Sequence, residues 1–335
     1  MSLKRFFLFA LLPWAVSAQW SPQTSNTTAS LRGISVVNAQ TAWASGTAGT
    51  WLRTLDGGTT WQTGHVPDAD KLDFRDIEAF SADHAILMSI GPGESSRIYR
   101  TTDGGSNWTM TFKNPEAQGF FDAIAFWDAK RGILMGDPVG GQLYAALTDD
   151  GGLTWHRVTM PPAREGEGAF AASGTCLTTG RNGKAWIVSG GTGGSRVYRS
   201  SDWGKTWAVS EAPIRHEKAA SGIFSIAFFD DLTGVVTGGD YSAPKEDRDN
   251  FAVTMDGGKT WQAAPGPKGY RSAIQYVPGT KRLFAAGTTG VDESPDGGRT
   301  WKPAAEGNFN ALGFASTGEG WAVGPKGVIW HFASR

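Results

Sequence analysis

The chain has 335 residues, 19% of them charged, with a net charge of −1 at pH 7, 46 glycines, 15 tryptophans and one cysteine. That balance gives no basic surface of the kind nucleic acid or an anionic membrane requires. A lone cysteine excludes an internal disulfide, and glycine-rich turns with many aromatics suit an all-β chain of short strands.

Residues 1–18 read as an export leader. Lys4 and Arg5 form a positive start, Phe6 to Val16 an apolar stretch, and Val16-Ser17-Ala18 a small-x-small cleavage site. The apolar run is too short to span ~30 Å of hydrocarbon. Cleavage after Ala18 leaves Gln19 first, with no cysteine for lipid attachment. The expectation is a soluble exported chain, periplasmic or extracellular, with residues 19–335 as one unit.

Along that unit one box recurs six times. It begins Thr54-Leu55-Asp56-Gly57-Gly58-Thr59-Thr60-Trp61 and returns around Asp103, Asp150, Asp202, Asp256 and Asp296. The steps between aspartates are 47, 47, 52, 54 and 40 residues, the period of a four-stranded propeller blade. Asp-Gly is a strong hairpin former, and the carboxylate can accept backbone N–H groups of its own turn. Repetition at blade period makes these aspartates structural elements of the fold and not metal ligands.

Upstream of each box lie an apolar strand, a polar turn and a second apolar strand, as in Ile124-Ala125-Phe126 and then Gly132 to Gly136. Each repeat therefore predicts strands a, b and c, the box turn, then d. The last repeat ends at Gly327 to Phe332 without a box, whereas Gln19-Trp20-Ser21-Pro22 looks like the start of a strand d, as at Trp61-Gln62 or Trp301-Lys302-Pro303. Six full blades and one shared by both termini predict a closed seven-bladed β-propeller, with residues near 20–24 paired to residues near 327–332.

The loops before strand a and after strand b share one face, the mouth of the channel. Candidate ligand residues there are Arg32, Arg75, Asp76, Asp122, Asp137, Glu165, Glu167, Asp240, Tyr241, Tyr270 and Arg271. A ring of solvated or mutually paired charges is the plain alternative. Cys176 reads as a buried filler. The five histidines have no metal-ligand spacing, so no metal is expected. Gly190 to Ser195 resembles a phosphate loop but opens no helix, so no cofactor is expected. Asp240 to Asn250 is a long polar insertion, either a flap or an unstructured loop.

The boxes, Leu31-Arg32-Gly33-Ile34, Gly320-Trp321-Ala322-Val323-Gly324 and Gly269-Tyr270-Arg271-Ser272 together resemble the photosystem II stability/assembly factor-like proteins, BNR-repeat (Asp-box) propellers with a sialidase-like fold. Glu167 to Thr175 and Gly238 to Tyr241 resemble a bacterial branch often labelled oxidoreductase. The resemblance spans the mature chain. It implies a seven-bladed propeller that binds other proteins, and an arginine-rich surface to which Arg32, Arg75 and Arg271 would contribute.

Two functions compete. The first is a non-enzymatic exported, monomeric scaffold for a protein partner or a polar or carbohydrate ligand. The second is a sialidase-like glycoside hydrolase, which needs a carboxylate pair, an arginine triad and a Tyr–Glu nucleophile. Glu165, Glu167, Asp137 and Asp240 could supply carboxylates, but no Phe-Arg-Ile-Pro motif occurs. A redox enzyme ranks third.

Overall fold

A computed structural model describes residues 20–334. The proposed leader lies outside the described residues. Seven antiparallel sheets form a β-propeller, with only three short 3-10 turns besides strands among the described residues. Among the described residues no helix is long and apolar enough to cross a membrane.

Blade 1 comprises Leu31–Val36, Ala42–Gly46, Thr50–Thr54 and Gln62–His65, and the same a-b-c-d order recurs around the ring. Each strand a packs against the next, from Leu31–Val36 through Asp73–Ala79, Phe121–Phe126, Leu177–Thr179, Ser221–Phe228 and Ala273–Tyr276 to Ala311–Phe314 and back. Strands b are almost wholly buried, as in Ala42–Gly46 and Gly234–Asp240, and carry the core between blades.

The last blade closes as expected. Trp20–Gln23 is its outer strand, in register Trp20↔Phe332, Ser21↔His331, Pro22↔Trp330 and Gln23↔Ile329. Gln23 Oε1 accepts the indole N–H of Trp61 and of Trp321, each at 3.0 Å. The closing strand thereby also fastens blade 7 to blade 1.

The box turns are built as their chemistry dictates. In the first, Asp56 Oδ1 accepts Thr60 N–H at 2.9 Å, Oδ2 accepts the Thr60 hydroxyl at 2.7 Å, and Thr54 Oγ1 accepts Gly58 N–H at 2.8 Å. Gly57 and Gly58 sit at φ 70° and 82°, where glycine costs least. The fourth box replaces the first glycine by Trp203, which still takes φ 65°. Its ring packs on Trp127 and lies under Arg131, 3.7 Å from the guanidinium carbon. Those contacts offset a backbone cost of about 1–2 kcal/mol.

These hydrogen bonds favour the charged carboxylate. Thr60 lowers Asp56. In Asp150, bonds from Thr154 outweigh the burial that acts the other way and hold the group at about 2. Asp256 and Asp296 are held at about 2, chiefly by their Thr260 and Thr300 hydroxyls. A folded pKa below the unfolded value of about 3.9 gives stability that is present above pH ~4 and lost toward pH 2. Acid denaturation is expected to begin in that window. The checking measurement is a pH series of thermal melts, in which replacing several box aspartates by Asn flattens the acid limb.

The Asp240 to Asn250 insertion forms ordered turns. Arg215 Nη1 donates to Glu246 at 2.7 Å, Arg248 Nη2 donates to Glu217 at 2.9 Å, and Tyr270 N–H donates to Pro244 O at 3.0 Å.

Candidate functional site

Strand a begins at the mouth, and a one-residue irregularity there decides what faces the pocket. The a–b ladder slips between Leu31 and Gly33, Phe74 and Asp76, Phe121 and Ala123, and Ile223 and Ser225. The skipped residues are Arg32, Arg75, Asp122 and Phe224. A bulge breaks the two-residue alternation and re-aims one side chain. By register, Ser272 and Asn310 hold the same place in blades 6 and 7, two residues before Ile274 and Leu312.

All six line one pocket of ≈ 630 Å³. In blade 4 the equivalent Thr175 turns into the channel instead, bonded to Ser173 and Ser225. The preceding loop takes its place at the mouth and contributes Ala169 to Ala172.

The pocket combines polar and aromatic side chains. Arg75 donates to Asp73 at 2.8 Å and to Ala171 O at 2.9 Å. Arg32 donates weakly to Asn310 Oδ1 at 3.3 Å, and its buried Nε has no partner among the described residues. Burial, and then the nearby Arg75 charge, lower the Arg32 pKa. Asp122 is 1% exposed and its Oδ2 is unpartnered among the described residues. Burial, and then Asp137, push its carboxyl well above the usual range. Asp137 is raised by burial while its Oδ1 accepts Ala169 N–H at 2.9 Å. In the same pocket, Phe170 stacks on Phe224 at 3.8 Å, Tyr270 meets Phe224 edge-on at 4.8 Å, and Tyr241 stands 54% exposed.

Comparison with known proteins agrees with this architecture. Residues 12–155 match the family model described as Photosynthesis system II assembly factor YCF48. The chain resembles these assembly factors. Among solved structures, "YCF48 bound to D1 peptide" is 18% identical with TM-score 0.68, covering 96% of this chain and 99% of that one. "YCF48 from Cyanidioschyzon merolae" is 18% identical with TM-score 0.66, covering 94% and 99%. "Structure of U3-55K", at 12% identity and TM-score 0.68, covers 95% and 99%. A search of the curated proteins finds no match.

In this assembly-factor-like propeller the mouth brings together Arg32, Arg75, Asp122, Asp137, Tyr241 and Tyr270, but not the other five candidates. Arg271 is buried on Asp292, with Nε at 3.0 Å from Oδ2, and also donates to Tyr270 O and Thr289. Asp240 is fixed by Lys218 at 2.9 Å and by Ser242; these bonds outweigh its burial and hold it at about 2. Glu165 lies exposed on its loop.

Glu167 accepts from Arg196 Nη1 at 2.6 Å, the Tyr198 hydroxyl at 2.7 Å and Ser189 Oγ at 2.6 Å. A Tyr–Glu pair of the kind a sialidase nucleophile needs is thus present. However, Tyr198 is 0% exposed and the Glu167 side chain is closed off, so no sugar could reach them.

Asp76 sits lower, in a channel cavity of ≈ 500 Å³. It accepts Ile77 N–H at 2.9 Å and Ile124 N–H at 2.8 Å, tying strand a of blade 2 to that of blade 3. Ser225 makes the same tie to Ile274 at 2.9 Å. Burial raises Asp76 to about 7.

Sequence reasoning missed Glu78, which lines the same cavity and is pushed up by burial and by Asp76. It also missed Phe224 and Asn310. The available signal was position: counting back two residues from Ile226 and Leu312, which match Ile34 and Ile77 in the repeat, finds both.

Proposed function

We propose that the chain is a non-enzymatic binding or assembly scaffold that takes a protein segment at the channel mouth. The observation that supports this most is that six blades present the residue at the start of strand a to a single pocket holding arginines, a carboxyl oxygen without a partner among the described residues, and aromatic side chains. Pockets with a few convergent polar groups on an apolar wall are the usual places for ligands. A similar propeller with a peptide bound in its structure supports a peptide as occupant. Residues 1–18 favour an exported protein. The hydrolase reading loses support because Glu167, Asp240 and the third arginine, Arg271, are engaged elsewhere.

The test is capture from native envelope extract on the immobilised mature protein, read by mass spectrometry. Arg75→Ala with Tyr241→Ala is expected to reduce capture at least about tenfold, the scale of aromatic and arginine anchors. The melting temperature should change little, since Tyr241 is mostly exposed. Undiminished capture by the folded double variant would place binding elsewhere, such as the outer rim.

A further inference from the structure

We infer that the Asp122–Asp137 side of the mouth is a lysine socket, which accepts the ammonium group of a lysine side chain from the bound segment. This rests on the mouth being the binding face, and it assigns a chemistry to one part of it.

Asp122 is the bulge residue of blade 3, 1% exposed, and its Oδ2 has no hydrogen-bond partner among the described residues although it lines an open pocket. A buried carboxylate oxygen left unmatched is costly unless something supplies a donor. The nearest protein cation does not. Arg75 is spent on Asp73 at 2.8 Å and Ala171 O at 2.9 Å. Asp137, at the end of strand b in the same blade, uses Oδ1 for Ala169 N–H, and no hydrogen bond is found to its Oδ2. Two carboxyls that line the same pocket therefore each keep one oxygen without a hydrogen-bond donor among the described residues.

That geometry selects among cations. A guanidinium prefers two oxygens of one carboxylate in a planar fork, whereas an ammonium is a compact charge whose three donors can bridge single oxygens from two groups. No third His, Cys, Asp or Glu completes a metal-holding group among the described residues. The depth of Asp122 requires a long, slender carrier. The stacked pair Phe170 and Phe224 borders the same pocket, and its outer apolar surface suits the methylene stem of lysine.

The probes are blocked tripeptides, N-acetyl-Gly-Lys-Gly-amide, its Nε-acetyl-lysine form and the Gly-Arg-Gly analogue, titrated into the mature protein by NMR or calorimetry. The expected result is saturable binding of the lysine peptide, weakened at least about tenfold by Nε-acetylation and weaker for the arginine peptide. Asp122→Asn and, separately, Asp137→Asn should each cause a similar loss. Asp122→Asn should melt no lower than the parent, because Oδ2 has no hydrogen bond to lose among the described residues.

Equal binding of the acetylated peptide would overturn the socket. So would undiminished binding by both Asn variants, or equal binding of a lysine-free peptide with a free amino terminus. The outcomes also separate the two readings. Envelope capture lost in Arg75→Ala with Tyr241→Ala, but with no lysine-peptide binding to the parent, sinks the socket and leaves the scaffold standing. Lysine-peptide binding without any capture sinks the scaffold.

Discussion

Deleting Trp20 to Gln23 is expected to leave a chain that does not fold to a stable monomer. The strand contributes a whole edge of blade 7, and its loss exposes the backbone of Ile329–Phe332 to pairing with other chains. Trp20 alone is 5% exposed and packs on Phe284, Phe314 and Phe332 at ring distances of 5.6, 6.4 and 5.2 Å. Trp20→Ala should cost about 3–5 kcal/mol, a large share of a typical total of about 5–15. Gln23→Ala should cost about 2–6 kcal/mol, since it orphans the Trp61 and Trp321 indole N–H groups at about 1–3 kcal/mol each. Denaturant melts and size-exclusion chromatography check all three. A deletion variant that melts like the parent would mean that blade 7 is stable with three strands.

Arg271→Ala is expected to destabilise by about 3–5 kcal/mol, because it leaves Asp292 buried without its cation. The two side chains are 3% and 4% exposed, and the only other donor to Asp292 Oδ2 among the described residues is Lys268 N–H at 3.0 Å. Arg75→Ala should cost about 1 kcal/mol, since its partly exposed partner Asp73 can be rehydrated. Replacing Arg271 and Asp292 together by Met and Leu should recover most of the loss. Comparable losses for Arg75→Ala and Arg271→Ala would show that burial does not separate these arginines.

That pair also shows where reading the sequence reached its limit. Phe74-Arg75-Asp76-Ile77 and Tyr270-Arg271-Ser272-Ala273-Ile274 look like one motif. The second has one more residue before its isoleucine, so Ser272 takes the bulge position and Arg271 turns inward. Its partner Asp292 comes from strand c, 21 residues later, and nothing local announces it. Glu167 is likewise claimed by Arg196 and Tyr198 from strand c of the next blade. The blade count and the closing strand were legible, because both rest on local turn chemistry repeated at fixed spacing. The mouth was legible as a face. Which charges there stay free depends on pairing across strands, which a linear pattern does not carry.

The strand-a bulge has a consequence for how such a protein changes over time. Side chains on either side of it are locked into interblade contacts, but the skipped residue takes no part in the a–b ladder. Arg, Arg, Asp and Phe occupy it here, and Ser272 and Asn310 stand at the equivalent places in blades 6 and 7, where the ladder does not slip. The mouth therefore behaves as a row of interchangeable sockets on a fixed dial. A new partner can be acquired most freely at Arg32, whose side chain makes only a 3.3 Å bond to Asn310 among the described residues. Retargeting by design would begin there, with the buried Asp122 and Phe224 left in place.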